Sequence, residues 1–180
     1  MLTAPDIPVE FINKAEIPLM DATEFMCDDI KDFYAYWLSC KGKRNFPSRA
    51  DIDPTDLLKF MPRIWMLDVF HDNPLRFRVR LSGTEIVEKV GQDKTGQFLD
   101  EIEEDFYNSL GYMNMRMVAQ DGIPIWYHGK PSHRSTKYVR NLEYVMLPLS
   151  DDDQLVNVIL CVTYTDFSKR QNVLNLKRGS

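Results

Sequence analysis

RIWMLDVFHDNPLRFRVRLSG, residues 63–83, decides the fold. Two runs rich in β-branched and aromatic residues flank His71-Asp72-Asn73-Pro74, a cluster of turn formers. In the second run Phe77, Val79 and Leu81 alternate with Arg76, Arg78 and Arg80. Side chains of a strand alternate between faces, so this spacing predicts three apolar residues on one face and three guanidinium groups on the other. Ser82-Gly83 then leads into Thr84-Glu85-Ile86-Val87, the opening of a short helix. An antiparallel hairpin that feeds straight into small helices sets the frame for the rest of the chain.

Downstream, short helices are predicted over 84–90 and about 98–103, punctuated by Gly83, Gly91 and Gly96. A longer helix follows from 105 or 106 to 120. Its Phe106, Leu110, Met113 and Met117 recur at i, i+4, i+7 and i+11, and Gly122 stops it. Strand-like runs at 123–128, 138–149 and 155–165 finish the pattern, with Asp151-Asp152-Asp153 at the last hairpin turn. Upstream, residues 22–39 read as an amphipathic helix, with Asp21 and Glu24 at the spacing of a capping box. Met26, Ile30, Phe33 and Trp37 form one apolar stripe that must be buried against its own sheet or a second chain. Gly42 and Pro47 end that helix, and Asp53-Pro54 begins another at 55–60, closed by Pro62. The fold class is therefore α+β: a five-stranded antiparallel sheet, short helices over one face, and a preceding amphipathic helix. The expected divisions are an extended arm at 1–20, the helix and connector at 21–61, the sheet domain at 62–166 and a polar tail at 167–180.

Composition limits the function classes. At 180 residues the chain is about one domain, large enough to bury a core without disulfides or a structural metal. A net charge of −5 opposes phosphate backbones, so nucleic acid is not expected as a partner. No run approaches the roughly 18 apolar residues of a spanning helix, and the start lacks a basic segment followed by an apolar one. Cys27, Cys40 and Cys161 are odd in number and widely spaced, which suggests neither a disulfide framework nor a zinc site. These readings place the chain in the cytoplasm, away from membranes.

The order helix, strand, strand, small helices, longer helix, strand, strand, strand resembles the PAS superfamily. The likeness is sharpest to one bacterial branch, the fifth PAS-fold family. It is carried by Tyr36-Trp37-Leu38-Ser39, Pro47-Ser48-Arg49-Ala50-Asp51-Ile52-Asp53-Pro54, Pro62-Arg63-Ile64 with Leu67-Asp68-Val69, and Phe77-Arg78-Val79-Arg80-Leu81-Ser82-Gly83-Thr84. Gly91-Gln92-Asp93-Lys94-Thr95-Gly96 and Leu147-Pro148-Leu149-Ser150 complete it, so the likeness spans about residues 24–165. The resemblance implies sensing, dimerisation and signal relay, with a ligand cleft under the small helices.

That cleft would be walled by Phe77, Val79 and Leu81, by Met113 and Met117, and by Tyr144, Met146, Val158 and Leu160. Either Trp126 or Tyr127 must also face it, and Trp126 is the expected lining residue. The leading expectation is a stand-alone regulatory module that binds a small, largely apolar ligand or a signalling partner. It would form a homodimer through Met26, Ile30, Phe33 and Trp37. A ligand-free interaction adaptor is the second reading. A cone-shaped α+β isomerase using Asp68 with His128 is the third.

The remaining motifs point away from cofactors. The arginine row suits an anion clamp, or structural pairing with Asp68 across the hairpin and with Asp28, Asp29 and Asp32 on a covering helix; the structural account is preferred. Gly91 to Gly96 lacks the Lys-Ser/Thr of a phosphate loop, so its glycines read as turn formers. His128 and His133 point to opposite faces of an extended segment and His71 lies in a turn, so no metal triad forms. Haem-binding relatives use a histidine on the long helix, and residues 105–120 have none; flavin-adduct relatives use a cysteine that 92–99 lacks. Glu101, Glu103, Glu104 and Asp105 lack calcium-loop spacing and read as acids flanking a helix start.

Overall fold

The computed structural model of the chain describes residues 27–129 and 139–167. Five strands, β1 (Ile64–Phe70), β2 (Arg76–Ser82), β3 (Ile125–Gly129), β4 (Val139–Leu149) and β5 (Val158–Phe167), make one sheet in the order β2-β1-β5-β4-β3. Every pairing is antiparallel. Helix α1 (Asp28–Lys41) precedes the sheet, and α2 (Thr84–Val90), α3 (Leu99–Ile102) and α4 (Leu110–Asp121) lie between β2 and β3. Those two strands are the opposite edges, so the helical segment must cross the whole sheet. This is the α+β architecture that the sequence pattern predicts.

Alternation along the strands builds two cores. On β5, Val158, Leu160 and Val162 join one cluster with α1, while Ile159 and Cys161 join the other with α4. On β4, Val145, Leu147 and Leu149 go with α1 and Met146 with α4. The sheet is a shared wall with an outer layer (α1) and an inner layer (α3 and α4), while α2 packs on the 61–63 turn.

The outer layer settles where the apolar stripe of the first helix goes. Ile30 and Phe33 are fully buried and Trp37 is 3% exposed, all packed against the chain's own sheet. Trp37 Nε1 donates to the Pro148 carbonyl at 3.0 Å, which fixes the rotation of α1. Burial of these side chains contributes roughly 1.5–3 kcal/mol each. The assignment of Ile30, Phe33 and Trp37 to a dimer interface is corrected accordingly: water-exposed apolar surface is removed within one chain, so the stripe has nothing left to offer a second. Met26, Asp21 and Glu24 lie outside the described residues. The helix ends two residues later than expected, at Gly42 (φ +55°). Because α1 and the connector share a core with the sheet, a boundary at residue 62 divides one packed unit.

The connector departs from expectation in detail. Asp53 accepts from the Thr55 N–H and hydroxyl at 2.8 Å, a local turn contact rather than the expected helix cap. No helix follows at 55–60. Short-range bonds such as Asp56 N–H to the Asp53 carbonyl and Leu57 N–H to the Pro54 carbonyl make a chain of turns instead. Leu57 and Phe60 drop from these turns into the outer core.

The hairpin holds the chief surprise. Met66 pairs with Leu81 but Leu67 pairs with Val79, so Arg80 is an extra residue, a bulge. One inserted residue resets the alternation. Phe77 and Val79 stay on the inner face, and Leu81 crosses to the outer one. At the end of β2, a Cβ on Gly83 would sit 2.3 Å from the Met61 carbonyl oxygen and 2.5 Å from that of Pro62. Only glycine admits this approach, and its N–H bonds the Ile64 carbonyl at 2.7 Å. The strand thereby nests under the preceding turn before α2 begins.

Candidate functional site

The inner face is where the resemblance places a ligand, and its floor is set by register. Ile125, Met146, Cys161 and Trp65 lie abreast across four strands; Tyr127, Tyr144 and Thr163 form the next row. Helix α4 crosses above. Its start is fixed by Ser109, whose hydroxyl accepts from the Tyr112 N–H at 3.0 Å. The face it turns inward carries Tyr112, Met115, Val118 and Ala119.

This phase differs from the expected one. Phe106 belongs to a separate 3-10 turn, Phe106–Asn108, after Asp105 in the left-handed region (φ +56°). The extended Ser109 then breaks the helix from that turn, so spacing counted from Phe106 does not carry through. Met117 packs at the margin of the inner core, and Met113 is half-buried outside it. The signal that carries the true phase is a second stripe inside the helix, Tyr112, Met115, Val118 and Ala119 at i, i+3, i+6 and i+7.

The other predicted walls divide between the faces. Phe77, Val79, Tyr144 and Met146 are inner. Leu81, Trp126, Val158 and Leu160 are outer, in the cluster with α1. Residues on opposite sides of a sheet cannot line one cavity, so the ten-residue pocket is corrected. Leu81 crosses because of the Arg80 bulge; Val158, Leu160 and Trp126 occupy the alternate phase of their strands. Of the pair at β3, Tyr127 is the inner one and stacks on Tyr144 with centroids 5.1 Å apart.

A polar pair missed by the sequence reading sits in this layer. Asn114, 2% exposed in mid-helix, donates Nδ2 to the Tyr144 hydroxyl at 2.7 Å. Burial pushes the Tyr144 pKa well up, against the lowering effect of the Asn114 bond, so the phenol stays protonated. Nearby, Trp65 Nε1 donates to the Thr163 hydroxyl at 2.9 Å. Burial likewise raises the Cys161 thiol, leaving a neutral group that packs as a small apolar side chain.

The arginine row is neutralised where it stands. Arg76 binds Asp100 at 2.9 Å and Glu101 at 2.7 Å, and its guanidinium lies 3.9 Å from the Phe98 ring centroid. Arg78 and Arg80 hold the two oxygens of Asp68 at 2.8 and 2.9 Å. Burial alone would raise the Asp68 carboxyl, but the hydrogen bonds and charges of the two arginines outweigh it and hold its pKa below the ordinary value. The partners are thus Asp68 and the acids of α3. The acids of α1 are used elsewhere, Asp29 and Asp32 on Lys59 and Asp28 on Lys31.

Asp68 does not meet His128. By register they are separated by six residues along β4 and three strand spacings, roughly 20 Å by 14 Å. His128 is exposed and stacks beside Trp126, so no single substrate atom could reach both. The isomerase pairing is corrected on that distance. His133 lies outside the described residues. Gly91 and Gly96 adopt φ +85° and +87°, with Asp93 bonding the Thr95 N–H and hydroxyl between them, which is turn geometry as expected.

The sheet order, a helix closing the outer face and a crossing helical segment closing the inner one define a PAS-like α+β module. Residues 27–163 match the PAS domain family model, and the chain belongs to that family, in its fifth PAS-fold branch. A comparison with curated proteins finds no match. Among the described residues no helix is long and apolar enough to cross a membrane.

Proposed function

We propose that this PAS module regulates by contact with a partner protein rather than by enclosing a small molecule. The carrying observation is the occupancy of the inner layer. Phe77, Phe106, Tyr112, Met115, Val118 and Ile159 fill the space between helices and sheet, each at most 9% exposed. Three edge-to-face contacts among Phe77, Phe106 and Tyr112, with centroids 5.3–6.3 Å apart, bind that layer into one rigid block. A ligand of useful size would have to displace these side chains, each worth roughly 1.5–3 kcal/mol of burial. The family supplies the coarser reading, a sensory and interaction module.

Signal relay through such a module needs a partner that favours one of two conformations. The test is native mass spectrometry after gentle purification. The expected result is the bare 21.1 kDa chain or whole multiples of it. A persistent added mass that is released on denaturation would return the ligand-sensing reading to first place.

A further inference from the structure

The geometry points to a docking groove for an arginine side chain of a partner protein, at the C-terminal end of α4. The inference rests on the contact-regulation reading above and specifies the chemistry of the partner. The groove, of about 540 Å³, is open to solvent and lined in part by Phe46, His71, Gln120, Asp121, Gln154 and Leu155.

Its chemistry is that of an acceptor site. Gly122 closes α4 in the left-handed region (φ +66°), and among the described residues no backbone N–H returns to the last carbonyls of the helix. Those carbonyls carry the negative end of the helix dipole, which favours a cation. Asp121 adds a full carboxylate there, and no lysine or arginine of the described residues pairs with it. His71 Nε2 lies 2.8 Å from the Val156 carbonyl and therefore carries the proton, which leaves Nδ1 as a lone-pair acceptor. Phe46 supplies a ring beside Gly122, close enough that a Cβ on that glycine would meet it at 2.5 Å.

Acids outnumber bases around the groove. Asp72 and Asp151 to Asp153 lie on the two flanking loops. Arg44, a cation of the connector, is already committed to Asp51, to Asp153 and to the carbonyls of Ser150 and Asp151. Arg116, one turn before Gln120 on α4, is the only basic residue of that helix. Several acceptors beside a ring suit a planar guanidinium with five donors better than a compact ammonium. Leu155, 49% exposed, offers apolar surface for the methylene stem of the same side chain.

A capped alanine–arginine–alanine tripeptide, titrated into the full chain and followed by amide chemical shifts, tests this. Saturable shifts confined to residues 119–122, 154–156 and 71 are expected, with none from the same peptide carrying neutral citrulline. Asp121→Asn should weaken the arginine peptide about three-fold, the range of one exposed charge pair. Gln154→Lys, which places a cation in the groove, should abolish it. Both positions are exposed, and the unperturbed spectrum of each variant verifies the fold. Shifts scattered over the surface, equal response to citrulline, or no effect of either variant would overturn the site. Native mass spectrometry judges the contact-regulation reading separately, so the failure of one leaves the other legible.

Discussion

Replacing Phe33 by alanine distinguishes a helix buried in its own fold from one that joins two chains. Phe33 is fully buried between α1 and the sheet and meets Phe60 edge-on, centroids 5.1 Å apart at 72°. Truncating such a side chain removes its transfer free energy and leaves a cavity, together about 3–5 kcal/mol. The Phe60 contact accounts for about 0.5–1.5 kcal/mol of that. In a domain this size, the loss lowers Tm by roughly 10 °C. Urea unfolding should show an earlier midpoint at unchanged slope, because the surface exposed on unfolding is nearly the same. Leu38→Ala, on the same helix but 44% exposed, serves as the control and should stay within about 0.5 kcal/mol. Light scattering at two concentrations should give the same oligomeric state for Phe33→Ala and wild type. A loss under about 1 kcal/mol coupled to conversion of a dimer to monomer would refute the packing argument, since the stripe would then be an interface between copies.

Gly83→Ala should destabilise the fold severely, because the new methyl would collide with backbone oxygens rather than with a side chain that can swing away; calorimetry or insoluble expression reads it. Asp68→Asn tests the paired carboxylate through pH. Its folded-state pKa is depressed, so its stabilisation is present above the ordinary value of 3.8 and is lost as pH falls through the lower folded-state value. The gap between the urea midpoints of wild type and Asp68→Asn should be full at pH 6 and shrink progressively as pH falls below 3.8, and a gap that does not change with pH would contradict the pairing. Asn114→Ala leaves the Tyr144 hydroxyl buried without its partner and should cost about 1–3 kcal/mol. A double-mutant cycle with Tyr144→Phe should return a coupling near 1 kcal/mol; strict additivity would mean that the hydrogen bond contributes nothing.

Much of the fold was legible because it is written in local spacing. The hairpin at 63–83, the helix at 84–90 and the late strands follow from periodicity and turn chemistry, which neighbouring residues alone set. The glycines of the 91–96 turn were readable for the same reason. The pairing of Arg80 with Asp68 also followed, since a hairpin brings its own two strands together. The candidate site was less legible. Met117 reaches the inner core only at its margin and Met113 does not, because α4 carries two apolar stripes and the one with Tyr112 and Met115 is turned inward.

Away from the Arg80 bulge, alternation told which residues of a strand share a face, but not which face meets which helix. An apolar side chain records only that it leaves water, so Leu81, Val158 and Leu160 look the same in sequence whether α1 or α4 covers them. The Arg80 bulge, the seating of α1 on its own sheet and the Asn114–Tyr144 contact depend on register between distant segments. Residues as far apart as Trp37 and Pro148 had to be brought together before the free energy could choose among the alternatives. Local spacing determined the parts and their order; long-range packing alone decided which surfaces were consumed inside the molecule and which stay exposed.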